Sequence, residues 1–173
     1  MILVLIGYMG CGKSLIGNDL AAKVSYDYVD LDDYIENQEH KSIKDIFKNN
    51  GEIYFRKKET LYLNEVLNTL ENAILSLGGG TPCFAGNLEI IKEHPKTKVV
   101  YLKTSLDELT KRLFNERNKR PLLAHLKTEF ELKDFIRKHL FERSFYYNQA
   151  DLNVSTDEKN VEQISEEIIS SLL

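Results

Sequence analysis

Residues 1–14 read MILVLIGYMGCGKS. The apolar run Ile2 to Ile6 opens directly into Gly7-Tyr8-Met9-Gly10-Cys11-Gly12-Lys13-Ser14. That segment matches G-x-x-x-x-G-K-[ST], a loop whose glycines let the backbone present successive N–H groups to phosphate oxygens. Gly10 makes the local pattern G-x-x-G-x-G-K-S. Leu15 to Ala22 reads as a helix after it, and the positive N-terminal end of a helix favours an anion there. Lys13 is expected to reach the β- and γ-phosphates, and Ser14 to put its hydroxyl on Mg2+. The backbone from Gly10 through Cys11, Gly12, Lys13 and Ser14 to Leu15 forms the cradle. Cys11 contributes only its N–H, and its thiol is read as a bystander.

Short apolar runs alternate with longer helical patterns along the rest of the chain. Strands are expected at 2–6, 26–30, 73–77, 98–102 and 151–155. Helices are expected at 13–25, 31–39, 42–70, 87–93, 105–117, 128–148 and 160–172. Runs such as Ile-Leu-Val-Leu-Ile and Val-Val-Tyr-Leu lack alternation, as strands covered on both faces do. This rhythm predicts a parallel sheet with helices on both sides. Ligands in such folds sit beyond the carboxyl ends of the strands.

The residues after each expected strand carry the chemistry. Asp30-Leu31-Asp32-Asp33 follows the second. Strand alternation would put Asp30 and Asp32 on one side. One carboxylate then serves the Mg2+ shell, and the other positions a substrate hydroxyl. Asp33 is left to cap the next helix. Gly78-Gly79-Gly80 follows the third strand and removes side chains at the mouth of the sheet, which permits close approach of a small ligand. The fourth strand ends Leu102-Lys103-Thr104, without the acidic residue of an ATPase-type Mg2+ strand. The guanine signature N-K-x-D is missing too, since Asn118-Lys119-Arg120-Pro121 lacks the Asp. Both absences favour a small-molecule kinase over a motor or switch. Arg117 to Leu123 is a basic stretch broken by Pro121, a candidate lid whose arginine could stabilise charge on the γ-phosphate. Arg56 and Arg143 are the arginines an acidic substrate would pair with, by bidentate contact to its carboxylate. His40, His94, His125 and His139 show no metal spacing and are read as surface.

Bulk properties bound the rest. The chain has 173 residues, 42% hydrophobic and 29% charged, with a net charge of −4. That is one domain with a proper core and no basic surface for nucleic acid or membrane. Two cysteines make no disulfide framework and suit a reducing cytoplasm. No membrane span or leader is expected. With no obvious exposed apolar face, a monomer is expected.

Taken together, these segments resemble shikimate kinase over nearly the whole chain. The resemblance rests on Gly7–Ser14, Asp30-Leu31-Asp32, Ser42–Phe47 with Gly51-Glu52, Phe55-Arg56 and Glu59, the Gly78–Gly80 triplet, Arg120-Pro121-Leu122-Leu123, and Arg143 with Tyr147, Ala150 and Asp151. It implies a three-layer α/β/α fold of the nucleoside-monophosphate-kinase type, with a five-stranded parallel sheet in order 2-3-1-4-5. It implies one domain over 1–173, with a substrate-binding helical segment at about 31–70 and a lid at about 117–128. It implies a transferase that phosphorylates the 3-hydroxyl of shikimate with ATP, on the route to chorismate and aromatic amino acids.

Residue by residue, the resemblance places Asp32, Arg56, Gly78, Gly79, Gly80 and Arg143 around shikimate, with the two arginines on its carboxylate. Asp32 also faces the reacting hydroxyl. Ser14 and Asp30 serve Mg2+, Lys13 and Arg120 bind phosphates, Arg112 lies against adenine, and Glu59 orients Arg56. Lys13, Asp32 and Arg120 are thereby the catalytic set. The chain departs from the family pattern in three places. Arg112 to Arg120 is one residue long, Tyr147 to Ala150 is one residue short, and Ser155 stands where some members carry a basic residue near adenine, with Lys159 nearby. A sugar-acid kinase should share the loop and lid but not combine F-R, G-G-G and R-x-x-x-Y. A nucleoside-monophosphate kinase should carry pocket residues for a second base, which the sequence does not show, and a non-catalytic nucleotide-binding domain has no use for both Asp32 and Arg120.

Overall fold

The computed structural model describes residues 1–120 and 122–172. Pro121, the proline of the expected lid motif, lies outside the described residues. Five strands form one parallel sheet: β1 (Ile2–Ile6), β2 (Asp27–Asp30), β3 (Ala73–Ser76), β4 (Thr97–Lys103) and β5 (Leu152–Ser155). Their order is β2-β3-β1-β4-β5, as the resemblance implies. β1 is central, with Leu5 opposite Ser76 of β3 and Val100 of β4. All five of its residues are fully buried, which explains its unbroken apolar run. Each such side chain contributes about 1.5–3 kcal/mol of burial.

Among the described residues, seven α-helices accompany the sheet: α1 (Lys13–Val24), α2 (Leu31–Glu39), α3 (Ile43–Thr69), α4 (Asn87–Glu93), α5 (Leu106–Glu116), α6 (Glu129–Tyr147) and α7 (Val161–Leu172). Their starts are set by local chemistry. The hydroxyls of Ser42, Ser105 and Thr128 accept from the backbone N–H of Asp45, Glu108 and Glu131. Thr128 and Glu131 complete a capping box on α6.

Two expectations about helices are corrected. The long helix 42–70 is broken at Gly51, where φ is 82° and ψ is 173°. That conformation is open to glycine and strained for other residues, so α3 bends just before the segment bearing Arg56. The cap of α2 is Asp30 and not Asp33. Oδ1 of Asp30 accepts from the backbone N–H of Asp32 at 2.9 Å. The chain therefore leaves the strand at Asp30, and Asp32 sits in the first turn of a helix. Strand alternation does not apply between them, because an aspartate at the strand end satisfies a helix N-terminus better than a free strand edge.

Parallel register brings β1, β2 and β3 to a common edge. Asp30 pairs with Ser76, and the Leu77 N–H donates to the carbonyl of Leu5. The loop after β1, the start of α2 and the glycine triplet after β3 thus converge at one end of the sheet.

Candidate active site

A cavity of about 840 Å3 opens at this edge. Its floor is the loop Gly10–Ser14 at the start of α1, and one wall carries Asp30, Asp32 and Gly78. Arg112 and Arg120 also line the cavity. The Lys13 ammonium donates to the carbonyls of Gly7 at 2.9 Å and Tyr8 at 3.2 Å. Its stem therefore lies across its own loop, with the charge at the cavity. Cys11 is buried, its sulfur 3.7 Å from that ammonium.

Around Asp30 the oxygens cluster. The Tyr28 hydroxyl donates to Ser76 Oγ at 3.1 Å and approaches Asp30 Oδ2 at 3.4 Å, with the Ser14 side chain also within its reach. Asp30 titrates above the ordinary carboxylate range, chiefly because it is desolvated. Burial, joined by the negative charges of Asp30 and Glu59, pushes Asp32 up to about 6. Lys13 acts on Asp32 in the opposite sense.

Arg112 donates from Nε to Glu108 at 2.7 Å and from Nη1 to the carbonyl of Gly10 at 3.3 Å, bracing α5 against the phosphate loop. Arg120 pairs with Glu116 at 3.0 Å. Its Nε is buried and has no partner among the described residues, so the guanidinium has capacity left for an anion. The cavity is lined as well by Thr156, Lys159, Asn160 and Val161. Ser155 is exposed and does not line the cavity. Sequence reading missed Thr156, Asn160 and Val161; the apolar strand end before them was the only pointer.

A second hollow of about 530 Å3 lies on the α3 side, lined by Glu52, Arg56, Lys57, Thr60, Phe84 and Ala85. Arg56 lines this hollow and not the first. It is held by Glu59 at 2.8 Å and by the Phe84 ring, 3.9 Å from its guanidinium carbon. A Cβ on Gly80 would stand 2.9 Å from Arg56 Nη2. One on Gly78 would stand 3.2 Å from Asp32 Oδ1. The glycine triplet thus makes room for the side chains of Arg56 and Asp32. Phe84 was also missed, having no periodic signal in a loop.

Arg143 on α6 lines neither hollow. Its guanidinium carbon is 5.5 Å from the centroid of the Tyr8 ring. Both Arg143 and Arg56 act electrostatically on Cys83, whose thiol burial pushes up to about 11. The two arginines therefore flank the turn Thr81–Cys83 that follows the triplet. Tyr147, one turn beyond Arg143, is fully buried and donates to the Gly79 carbonyl at 2.5 Å. The histidine expectation needs one correction. His139 is half-buried and bonded to Tyr8, because α6 packs this face inward.

Among the described residues no helix is long and apolar enough to cross a membrane. No group of three or more His, Cys, Asp or Glu among them could hold a metal unaided. The site can bind a polyphosphate at the loop, present a carboxylate beside it, and offer guanidinium groups to an acid on the other side.

Comparison with known proteins gives a consistent result. The family model described as shikimate kinase matches residues 9–173. A shikimate kinase of Flavobacterium johnsoniae is 46% identical over 170 residues, covering 98% of each chain. The crystal structure of the shikimate kinase from Bacteroides thetaiotaomicron superposes with a TM-score of 0.90 at 35% identity, covering 99% of this chain and 98% of that one. The shikimate kinase from Acinetobacter baumannii, solved in complex with shikimate, gives 0.84 at 31% identity, covering 99% and 92%.

Proposed function

The chain belongs to the shikimate kinase family, and from that premise we propose how its residues share the transfer of the ATP γ-phosphoryl group to the 3-hydroxyl of shikimate. The observation that carries the reading is the position of Asp32. It lines the nucleotide cavity beside Gly78, and it is coupled both to Lys13 of the phosphate loop and to Glu59, the residue that holds Arg56. It is thus the carboxylate between the two halves of the site.

ATP lies with its phosphates on Gly10–Leu15 and its base toward Arg112, Thr156 and Asn160. Lys13 and Arg120 bind the phosphate oxygens, and Arg120 enters from the lid at about 117–128. Arg56 and Arg143 take the shikimate carboxylate, while Gly78, Gly79 and Gly80 admit the ring. Asp32 accepts the hydrogen bond of the reacting hydroxyl. Its raised titration range makes it a better proton acceptor than an ordinary aspartate. Transfer then rests on positioning and charge stabilisation rather than covalent catalysis.

Mg2+ fits the donors present. Ser14 and Asp30 are hard oxygen ligands gathered near the Tyr28 hydroxyl, and one or two protein oxygens are what this ion takes when phosphates and waters complete its shell. When bound it would neutralise developing phosphate charge. The chain acts as one domain over 1–173, with the acceptor-binding segment at about 31–70. We take the protein as a monomer, without nucleic-acid or membrane partners. Its free Cys11 and Cys83 support a cytoplasmic setting.

The test is coupled ADP release with a panel of small hydroxy acids that includes shikimate. Shikimate should be the preferred acceptor, Lys13→Ala should abolish transfer in a folded protein, and Arg56→Ala or Arg143→Ala should weaken shikimate far more than ATP. Near-normal turnover of Lys13→Ala, or equal losses for both ligands, would overturn the assignments.

A further inference from the structure

Four residues of α6 repeat at intervals of four: Phe135, His139, Arg143 and Tyr147. Side chains so spaced share one helix face. On this helix the face meets the phosphate loop and the glycine triplet. Tyr147 bonds the triplet through the Gly79 carbonyl. His139 bonds the loop: its Nδ1 lies 3.1 Å from the Tyr8 hydroxyl, across 131 residues of sequence. The Phe135 ring packs against the imidazole with centroids 4.2 Å apart. The Tyr8 and His139 rings meet edge to face at 6.2 Å. Arg143 stands between the two bonds, one turn from each, with its charge toward the face of Tyr8.

We infer that Tyr8 and His139 form a positioning pair that holds Arg143 in register against the phosphate loop, so that the grip on the acceptor carboxylate depends on a side chain of the nucleotide-binding loop. The protonation states suit this bond. Tyr8 is 1% exposed and burial pushes its hydroxyl up to about 12, so it keeps its proton. His139 is held below its ordinary range by burial and then by Arg143, with Glu142 acting the other way. With the ring proton on Nε2, Nδ1 accepts from Tyr8. A buried tyrosine hydroxyl without its acceptor carries a desolvation cost, so the loop and the helix are joined at one defined point. Tyr8 lies within the phosphate-binding motif, but its side chain points away from the cradle and toward α6. The pair's effect reaches the substrate through Arg143, and so rests on the reading that Arg143 binds the shikimate carboxylate.

Steady-state kinetics of Tyr8→Phe, His139→Leu, the double variant, His139→Asn and Arg143→Ala test it. Tyr8→Phe and His139→Leu should each raise the KM for shikimate by about three- to tenfold, the range of one hydrogen bond. The KM for ATP and kcat should stay within about twofold by the same reckoning. The double variant should be no worse than the poorer single one. His139→Asn, which can place an acceptor near the Nδ1 position, should recover most of the loss. An unmoved shikimate KM in Tyr8→Phe, parallel rises for both substrates, or multiplying effects in the double variant would overturn the pairing. Tyr8→Phe decides the matter even where His139→Leu does not fold. If Arg143→Ala itself leaves shikimate KM unchanged, the carboxylate assignment fails. If Arg143→Ala raises it while Tyr8→Phe and His139→Leu do not, the pairing alone fails.

Discussion

Arg56 donates from Nη1 to Oε2 of Glu59 at 2.8 Å, three residues on along α3. Glu59 is 1% exposed, and its second oxygen accepts from the Thr81 hydroxyl at 2.6 Å. One buried carboxylate therefore fixes both the arginine and the turn after the glycine triplet. Glu59→Ala should cost about 2–3 kcal/mol, since it removes the buried carboxylate from a half-buried guanidinium, leaving Glu52 at 3.7 Å as its remaining acid, and leaves the Thr81 hydroxyl without its acceptor. That corresponds to a fall in Tm of roughly 4–12 °C for a chain of this size. Glu59→Gln keeps the bond to Thr81, and should lose less stability while still raising the KM for shikimate. Thermal denaturation and kinetics on both variants check this; a shikimate KM unchanged in Glu59→Gln would remove Glu59 from substrate positioning.

Asp32 sets function against stability. Its carboxyl is pushed up to about 6 in the fold, above the value near 3.9 of an unfolded aspartate. Between those values the native state binds more protons than the unfolded one, so this group's contribution to stability falls as pH rises. Above about pH 6 the buried charge is a standing penalty that Asn avoids. Asp32→Asn should therefore raise Tm at pH 8, with the gain shrinking to nothing below about pH 4 as both states protonate. Turnover should drop sharply in the same variant, with ATP affinity little changed. Denaturation of both proteins across pH, beside single-turnover rates, would expose either claim.

Gly80→Ala is a steric probe of Arg56. The backbone there has φ −90° and ψ −20°, which alanine adopts freely. Its Cβ would meet the flexible end of Arg56 at 2.9 Å. Stability should change by less than about 1 kcal/mol. The guanidinium must move, so the KM for shikimate should rise about tenfold, equivalent to about 1.4 kcal/mol, while the KM for ATP holds. Crystals of the variant with Arg56 undisplaced and normal kinetics would refute the steric account.

The stretch from Arg117 to Thr128 should gain hydrogen-exchange protection when ATP and shikimate are both present. Water must be kept from the γ-phosphate during transfer, and Arg120 has an Nε without a partner among the described residues, open to an anion. Equal exchange with and without the two ligands would remove the lid.

Much of this molecule is written locally. The phosphate loop, the buried strand β1 and the helix caps Ser42, Ser105 and Thr128 each depend on neighbours within a few residues. The same is true of the acidic run after β2, although the aspartate that caps α2 is Asp30 where the sequence alone favours Asp33. Asp30 and Asp33 are both competent N-caps, and the choice falls to where β2 stops pairing with β3.

By itself the sequence determined a triphosphate ligand, a parallel α/β frame and the residue types that handle an acid and a hydroxyl, because motif spacing and apolar periodicity are short-range properties. Only the tertiary structure decided which of them meet. Arg56 reaches Gly80 and Phe84, Tyr147 reaches Gly79, and His139 reaches Tyr8. Each of these contacts joins segments that periodicity can orient but cannot pair. A helix pattern states which face turns inward, and the partner on the other side is set by sheet order, register and the bend at Gly51.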